Sequence, residues 1–233
     1  MTKVSIIIAA YNEEDTIIEV LNRISCLSID GVDLEVIVVD DGSTDSTPSL
    51  LSSNSILYTK LIRLTANSGK GAAVKAGLKA AGGDYVLFQD ADLEYHPRFI
   101  PDLVVPIAEN NADVVIGTRM AGGHMTRVHY FWHKIGNKFI TLAFNALNNT
   151  TFTDIYSCYL LFKRDLLDPD LLKTTGWEQQ AEILTKVVRA DDSKRWYETP
   201  IAYSGRSYDE GKKIRAHHVL SVLWSIVRFR LTT

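Results

Sequence analysis

Short apolar runs alternate with helical segments through the first half of the chain, and this alternation strongly constrains the fold. The expected strands are Val4–Ala9, Leu34–Val39, Leu61–Leu64, Tyr85–Phe88 and Val114–Ile116. Strands and helices joined in turn by short connections predict a mainly parallel sheet with helices packed on its faces. The sequence therefore predicts an α/β fold.

Polar side chains follow three of these strands, at the ends where ligands bind in open α/β sheets. They are, in chain order, Asp40-Asp41, Asp90-Ala91-Asp92 and Gly117-Thr118-Arg119. Because parallel strands end at the same edge, we expect these groups to converge there. Adjacent carboxylates repel unless a cation neutralises them, and their oxygens suit Mg²⁺ or Mn²⁺. Taken alone, Asp90 and Asp92 also fit a solvated acidic turn.

A glycine-rich turn precedes the helix expected over Ala72–Ala81. Its sequence is Asn67-Ser68-Gly69-Lys70-Gly71. Backbone N–H groups at such a helix start bind anions, and Lys70 adds a positive charge. The spacing is not that of a Walker loop, so a tight turn with a solvated lysine is the alternative.

The second half is expected to add longer helices and fewer strands. The expected elements are a helix over Val128–Leu147, a strand Tyr159–Phe162, a helix Trp177–Val188, an edge strand Trp196–Tyr203 and a helix His217–Arg230. Glu178 and Glu182 stand one turn apart, hence on one helix face. The first and last of these helices carry aromatic side chains, which fit either the core, a dimer contact or a membrane interface.

Composition narrows the class of protein. The chain has 233 residues, a formal net charge of −3 and 46% hydrophobic residues, as in a globular protein rather than a general nucleic-acid binder. Two cysteines are too few for a disulfide framework, which favours a reducing compartment. We find neither a signal-peptide pattern nor a spanning apolar run, so we expect a cytoplasmic protein, either free or peripheral on a membrane.

Four motifs in order resemble those of the family 2 glycosyltransferases: Ile8–Glu13, Val38–Asp45, Asn67–Gly71 and Asp90–Asp92. The resemblance extends over nearly the whole chain, through Gly117-Thr118-Arg119, Asp154, Cys158, Glu182, Glu198-Thr199-Pro200, Gly205-Arg206 and Gly211–Ile214. It looks like the branch of dolichyl- and polyprenyl-phosphate sugar transferases. It implies the GT-A fold, with a Rossmann-like mixed, mainly parallel sheet. One domain would span 1–233, with the nucleotide-sugar part over about 1–120 and the acceptor side over about 121–233.

The resemblance also implies roles for individual residues. The donor would be bound by Ala10, Tyr11, Glu13, Asp40, Asp41, Lys70, Asp90, Ala91, Arg119 and Arg127. Asp90 and Asp92 would hold Mg²⁺ or Mn²⁺ against the donor diphosphate. Glu94 stands where this branch often has a glutamine metal ligand.

The reaction that these roles imply is inverting transfer from a nucleoside-diphosphate sugar such as GDP-mannose or UDP-glucose. A polyprenyl phosphate acceptor is already largely a dianion near pH 7, so it requires cations rather than a base. Candidate cations are Arg119, Arg127, Arg206, Lys212 and Lys213. A sugar hydroxyl acceptor would instead require a general base, for which Glu182 or Glu178 are candidates.

Two other classes of protein share some of these sequence features. A nucleotidyltransferase also uses strand-end carboxylates, but we would expect a glycine- and arginine-rich signature near its N-terminus. A non-catalytic scaffold would retain the fold, but the intact Asp90 and Asp92 argue against it. The expected partners are a nucleotide sugar, a lipid or glycan acceptor and a membrane surface. We expect no nucleic-acid partner, and both a monomer and an oligomer fit the sequence.

Overall fold

A seven-stranded sheet forms the centre of the protein. The computed structural model describes residues 1–120, 131–190, 193, 195–205 and 218–232. The strands are β1 (Thr2–Ala10), β2 (Val32–Asp40), β3 (Lys60–Arg63), β4 (Tyr85–Asp90), β5 (Val114–Thr118), β6 (Leu160–Lys163) and β7 (Trp196–Pro200). Their order across the sheet is β3-β2-β1-β4-β6-β5-β7.

Most neighbouring strands are parallel. β6 is the exception, because it lies antiparallel between β4 and β5. β4 and β5 nevertheless point the same way, so β1, β2, β4 and β5 all end at one edge of the sheet. This mixed, mainly parallel sheet confirms the predicted fold class.

Seven α-helices are described around this sheet. They are α1 (Ile17–Ser25), α2 (Thr47–Ser53), α3 (Lys70–Ala80), α4 (Ile100–Asn110), α5 (Phe131–Asn148), α6 (Gln179–Ala190) and α7 (His218–Thr232). Short 3₁₀ turns, among them Pro169–Leu171 before α6, lie in the connections between elements. None of the helices in the described ranges is both long and apolar enough to cross a bilayer.

The core follows from the sequence patterns. The run Ile6–Ile8 in β1 is buried on both faces of the sheet, as expected for a central parallel strand. α1 buries its apolar side chains at helical spacing, which packs one face of that helix inward.

Several element boundaries differ from the expected ones, including those of α6 and β7. α6 begins at Gln179 rather than Trp177, because residues 177 and 178 form a turn. β7 is the edge strand, as predicted, but it ends at Pro200, which has no N–H for further pairing. Tyr203 instead makes an isolated antiparallel bridge with Tyr95. Residues 128–130 of the expected long helix lie outside the described residues.

Candidate active site

A cavity of about 500 Å³ opens at the carboxyl edge of the sheet. Its lining includes ten residues that the sequence singled out: Ala10, Tyr11, Glu13, Asp41, Lys70, Asp90, Ala91, Asp92, Glu94 and Arg119. Asp40 and Glu182 are not in the lining. Arg127, Arg206, Lys212 and Lys213 lie outside the described residues.

Strand register explains why these groups meet. In the parallel sheet Ala9 of β1 pairs with Asp90 of β4, and Ala10 pairs with Asp40 of β2. The end of β1 therefore stands between the two acidic strand ends. The small side chain of Ala10 leaves space above the sheet, and this space forms part of the cavity.

The two aspartates at the end of β2, Asp40 and Asp41, have different environments. Asp40 is buried and accepts a hydrogen bond from Ser43 N at 3.0 Å, which closes the turn. Asp41 reaches the cavity and accepts the N–H groups of Ser68 and Gly69, each at 2.9 Å. Burial raises the pKa of Asp41 above its usual value, and these two hydrogen bonds only partly offset that effect. Asp41 thereby fixes the turn that precedes α3 against the end of β2.

Lys70, the first residue of α3, pairs with Asp90 across the cavity. Its Nζ lies 2.5 Å from Asp90 Oδ1 and 5.8 Å from the centre of the Trp177 ring. Burial alone would lower the pKa of Lys70, but the charge of Asp90 outweighs it and raises that pKa. Burial likewise opposes ionisation of Asp90, but Lys70 holds its pKa below the usual value. Both groups are therefore charged at neutral pH.

The carboxylates at this edge fit a hard divalent cation only in part. Asp90 and Asp92 line the cavity, and carboxylate oxygens are the ligands that Mg²⁺ and Mn²⁺ prefer. Glu94, however, accepts a hydrogen bond from the Tyr203 hydroxyl at 2.6 Å. In the part of the chain that the structure describes, no three His, Cys, Asp or Glu side chains form a metal-binding group. The expected set of three carboxylates is thus not assembled, and a cation held here would require oxygens from a ligand.

Arg119, which lines the cavity, is held by a buried carboxylate. Its Nε and one terminal nitrogen donate to Asp154 at 2.6 and 2.8 Å, and its backbone N–H donates to the same side chain. Asn137 Nδ2 donates to Asp154 as well, at 2.9 Å. The guanidinium carbon lies 5.0 Å from the centre of the Tyr203 ring. The charge of Arg119 is therefore fixed in place beside the cavity.

Several cavity residues had no signal in the sequence. Tyr95, Tyr156 and Gln180 line the cavity, and each comes from a connecting segment or a helix start rather than from a strand end. Tyr95 packs between Tyr159 and Tyr203, with ring centres 5.1 and 5.0 Å away. Single aromatic residues in turns follow no periodic pattern, so only the folded structure reveals this cluster.

Glu182 occupies a position unlike that expected for a general base. It is fully buried in α6 and accepts hydrogen bonds from Lys173, Thr174 and Lys186. Burial raises its pKa, but these hydrogen bonds outweigh burial and bring the pKa below its ordinary value. Glu178, the other candidate base, is not part of the cavity lining either.

The chain is similar in sequence to known sugar transferases. A family model described as Glycosyl transferase family 2 matches residues 5–169. A dolichol-phosphate mannosyltransferase of Pyrococcus furiosus is 32% identical over 213 residues, which make up 90% of this chain and 59% of the relative. An undecaprenyl-phosphate 4-deoxy-4-formamido-L-arabinose transferase of Proteus mirabilis is 30% identical over 218 residues. The match covers 91% of this chain and 63% of the relative. The chain thus spans about three fifths of the length of these relatives.

Solved structures share the fold over nearly the whole chain. Glucosyl-3-phosphoglycerate synthase of Mycobacterium tuberculosis, in complex with Mn²⁺, UDP and glucosyl-3-phosphoglycerate, superposes with a TM-score of 0.73 at 24% identity. The match covers 98% of this chain and 80% of that one. The same enzyme with Mg²⁺ and UDP gives a TM-score of 0.72 at 24% identity, and the match covers 97% of this chain and 79% of that one. This likeness confirms the predicted GT-A fold.

Proposed function

Because the chain belongs to glycosyltransferase family 2, we propose that it transfers a sugar from a nucleoside-diphosphate sugar to a polyprenyl phosphate, with inversion at the anomeric carbon. The observation that carries this proposal is the cavity in which Lys70, Asp90 and Asp92 meet at the strand ends. The two relatives are named for dolichol phosphate and undecaprenyl phosphate, and these names support a polyprenyl phosphate as the acceptor. GDP-mannose and UDP-glucose are both candidate donors.

The donor nucleotide would lie along the ends of β1 and β2. Tyr11, Glu13 and Asp41 line this side of the cavity and supply an aromatic ring and carboxylates. Carboxylates accept hydrogen bonds from ribose hydroxyls and base N–H groups, so these three side chains suit a nucleoside. Lys70 and the start of α3 would then face the diphosphate.

Asp90 and Asp92 would hold Mg²⁺ or Mn²⁺ together with oxygens of the donor diphosphate. The solved relatives bind Mn²⁺ or Mg²⁺ with UDP, which supports a divalent cation here. When bound, such a cation neutralises negative charge on the departing diphosphate. Lys70 already lies against Asp90, so its ammonium would share this carboxylate with the cation.

Transfer of the sugar to a phosphate acceptor does not require a base from the protein. An oxygen of the acceptor phosphate forms a bond to the anomeric carbon. The bond from that carbon to the donor phosphate breaks, and its electron pair leaves with the nucleoside diphosphate. The acceptor phosphate is largely a dianion near pH 7, so no proton has to be removed. The burial of Glu182 supports this choice over a sugar hydroxyl, which would require a base.

Cations would keep the acceptor phosphate beside the donor. Arg119 lies at the cavity with its guanidinium fixed by Asp154. We assign further contacts with the acceptor phosphate to Arg127, Arg206 and Lys212, with Lys213 beside them in sequence; these lie outside the described residues.

Two helices offer a face suited to a membrane surface. Large hydrophobic side chains are exposed along α5 and α7: Phe131, Ile135, Phe139, Leu142, Trp224, Val227 and Leu231. Lys134, Lys138 and Arg228 are exposed on the same helices, and neither helix contains an acidic residue. Apolar and cationic side chains together favour anionic lipid, so we place the enzyme peripherally on the cytoplasmic face of a membrane.

The experiment is a product assay with defined donors and acceptors. The purified protein receives labelled GDP-mannose or UDP-glucose, Mg²⁺ or Mn²⁺, and either polyprenyl phosphate or soluble sugars. We expect a lipid-linked sugar and one nucleoside diphosphate per transfer, and no product in excess chelator. Transfer to soluble sugars alone would reject the proposed acceptor. Absence of transfer to every acceptor, with donor still bound, would favour the scaffold alternative.

A further inference from the structure

Glu182 is a buried carboxylate with hydrogen-bond donors on both of its oxygens. Oε1 accepts Lys173 N at 2.9 Å and Lys186 Nζ at 2.6 Å. Oε2 accepts the N–H and hydroxyl of Thr174 at 2.8 and 2.6 Å. Four donors satisfy an ionised carboxylate well, and two of them are backbone groups of the chain just before α6. Glu182 therefore holds a segment of backbone, which we define as the wall segment, residues 173–177.

The wall segment packs directly against the start of α3. Thr175 O accepts the N–H of Gly71 at 2.8 Å, and Gln179 Nε2 donates to Gly71 O at 3.0 Å. A β-carbon added to Gly71 would lie 2.5 Å from Thr175 Cα, so the two backbones touch. At Gly69, which has a positive φ of 92°, a β-carbon would lie 2.6 Å from Thr175 O. The position of the wall segment thus fixes the position of this helix start.

The start of α3 carries Lys70, whose ammonium lies against Asp90. The wall segment ends at Trp177, whose ring faces that ammonium and whose carbonyl accepts the Tyr156 hydroxyl at 2.7 Å. Gly176 and Trp177 also line the cavity. A continuous set of contacts therefore runs from Glu182 through the wall segment to Lys70 and Asp90.

We propose that Glu182 is a positioning residue that holds the wall segment against α3, and so sets where Lys70 and Trp177 stand in the cavity. The proposal concerns how the cavity is built, and its effect on donor binding rests on the proposed function. Both oxygens of a carboxylate accept hydrogen bonds, whereas a glutamine amide has one acceptor oxygen and would turn its NH₂ donors toward the backbone N–H of either Lys173 or Thr174. Glu182→Gln should therefore release the wall segment with little change in side-chain volume.

The first measurement is native-state hydrogen exchange of the protein without ligand. In Glu182→Gln we expect exchange to accelerate about 10-fold or more in peptides covering 68–77 and 171–180, because their protecting contacts loosen. Peptides of β1 and β2 should exchange as in the parent protein. Thr185→Val is the matched control, since Thr185 is buried in the same helix but its hydroxyl donates to Ala181 O, away from the wall segment.

Thr174→Val provides a second variant in case Glu182→Gln does not fold. It removes only the hydroxyl donor to Oε2, and we expect acceleration by about 3-fold in the same two regions. The effects of both substitutions should be less than additive when they are combined, because they break the same contact. Parent-like exchange in both regions in Thr174→Val and in any folded Glu182→Gln would overturn the proposal.

Donor binding and turnover separate positioning from base catalysis. We expect Glu182→Gln to raise the dissociation constant of the nucleoside diphosphate about 10-fold, with a smaller fall in kcat. A large fall in kcat with parent-like binding and exchange would instead identify Glu182 as a base. If no nucleotide binds the parent protein, the proposed function fails, while the exchange result still decides the role of Glu182.

Discussion

The hydroxyl of Tyr203 donates a hydrogen bond to Glu94 Oε2 at 2.6 Å, which joins the chain after β7 to the chain after β4. Backbone contacts accompany it, since Ser204 N donates to Glu94 O at 3.0 Å and Tyr203 bridges to Tyr95. The sequence suggested Glu94 as a third metal ligand. In the structure its carboxylate helps to tie two segments of the cavity rim together.

The first prediction separates Glu94 from the Asp90 and Asp92 pair. Asp92→Asn should lower transfer about 100-fold or more, because a neutral amide is a weak ligand for a hard cation. Glu94→Gln retains an acceptor for Tyr203 and should lower transfer by less than about 10-fold. Mn²⁺ binding in the presence of nucleoside diphosphate, followed by electron paramagnetic resonance, should weaken only in Asp92→Asn.

Circular dichroism and thermal unfolding serve as controls for these two variants. Both should retain the parent fold, because Asp92 and Glu94 lie at the cavity rather than in the core. Equal loss of Mn²⁺ binding in the two variants would restore Glu94 as a metal ligand. Full activity of Asp92→Asn would remove the metal role from this strand end.

The second prediction concerns Asp41. Asp41→Ala should raise the donor KM more than it lowers kcat, since nucleoside contacts are similar in the ground and transition states. The structure adds a second reason, because this variant also frees the N–H groups of Ser68 and Gly69 before α3. Steady-state kinetics at saturating acceptor test it. An unchanged donor KM would exclude Asp41 from the nucleotide pocket.

Much of this site could be predicted from strand ends, for a simple physical reason. A buried strand is an apolar run, so the point where polarity begins marks the sheet edge, as at Asp40 and Asp90. Parallel strands bring these points together without knowledge of any side-chain contact. The cavity lining at Asp41, Asp90 and Asp92 follows from this local signal.

Contacts between distant residues could not be predicted in this way. Gln179, Glu182 and Lys186 form a polar stripe on α6, which would ordinarily face solvent. In the fold this stripe is buried and holds the wall segment, because the 3₁₀ turn and loop before α6 supply carbonyl and N–H partners. Periodicity gives the face of a helix but not what covers it. The antiparallel place of β6 between β4 and β5 likewise depends on long-range pairing.

The third prediction compares two glycines. Gly71→Ala places a methyl group 2.5 Å from Thr175 Cα, so backbone must shift and stability should fall by about 1–3 kcal/mol. Gly136→Ala in α5 places its methyl group within 4 Å of no described atom outside the nearby backbone of its own helix, and it should raise stability by about 0.5–1 kcal/mol through helix propensity. Chemical denaturation measures both. Equal effects would contradict the close packing of α3 against the wall segment.

The fourth prediction concerns acid stability and Glu35. Burial opposes its ionisation, but hydrogen bonds from Ser5, Gly82, Lys60 and Lys3 lower its pKa to about 2 from 4.5. A lowered folded-state pKa adds stability above about pH 4.5 that is lost as the pH falls toward 2. The contribution is on the order of 2–3 kcal/mol.

Denaturation curves between pH 7 and pH 2 test this expectation. The parent protein should lose stability on acidification, and Glu35→Gln should show a shallower loss over the same range. Part of the slope should persist in the variant, since the pKa of Asp113 is also lowered to about 2, burial being outweighed by Arg195 and Lys163. An unchanged slope in Glu35→Gln would show that this carboxylate does not control acid stability.

The last prediction tests the apolar face of α5 and α7 with matched charge insertions. Phe139 is 58% exposed on α5, and Ile56 is 93% exposed in the turn before β3, the strand at the far edge of the sheet from β7. Phe139→Asp should weaken binding to anionic vesicles about 10-fold or more, because it removes an apolar contact and repels the lipid charge. Ile56→Asp should bind as the parent does, and both variants should keep their activity on a short, water-soluble polyprenyl phosphate. Sedimentation with vesicles and analytical ultracentrifugation decide the outcome together. If Phe139→Asp instead dissociates a dimer and leaves vesicle binding unchanged, this face is a contact between two copies of the chain and the membrane proposal is wrong.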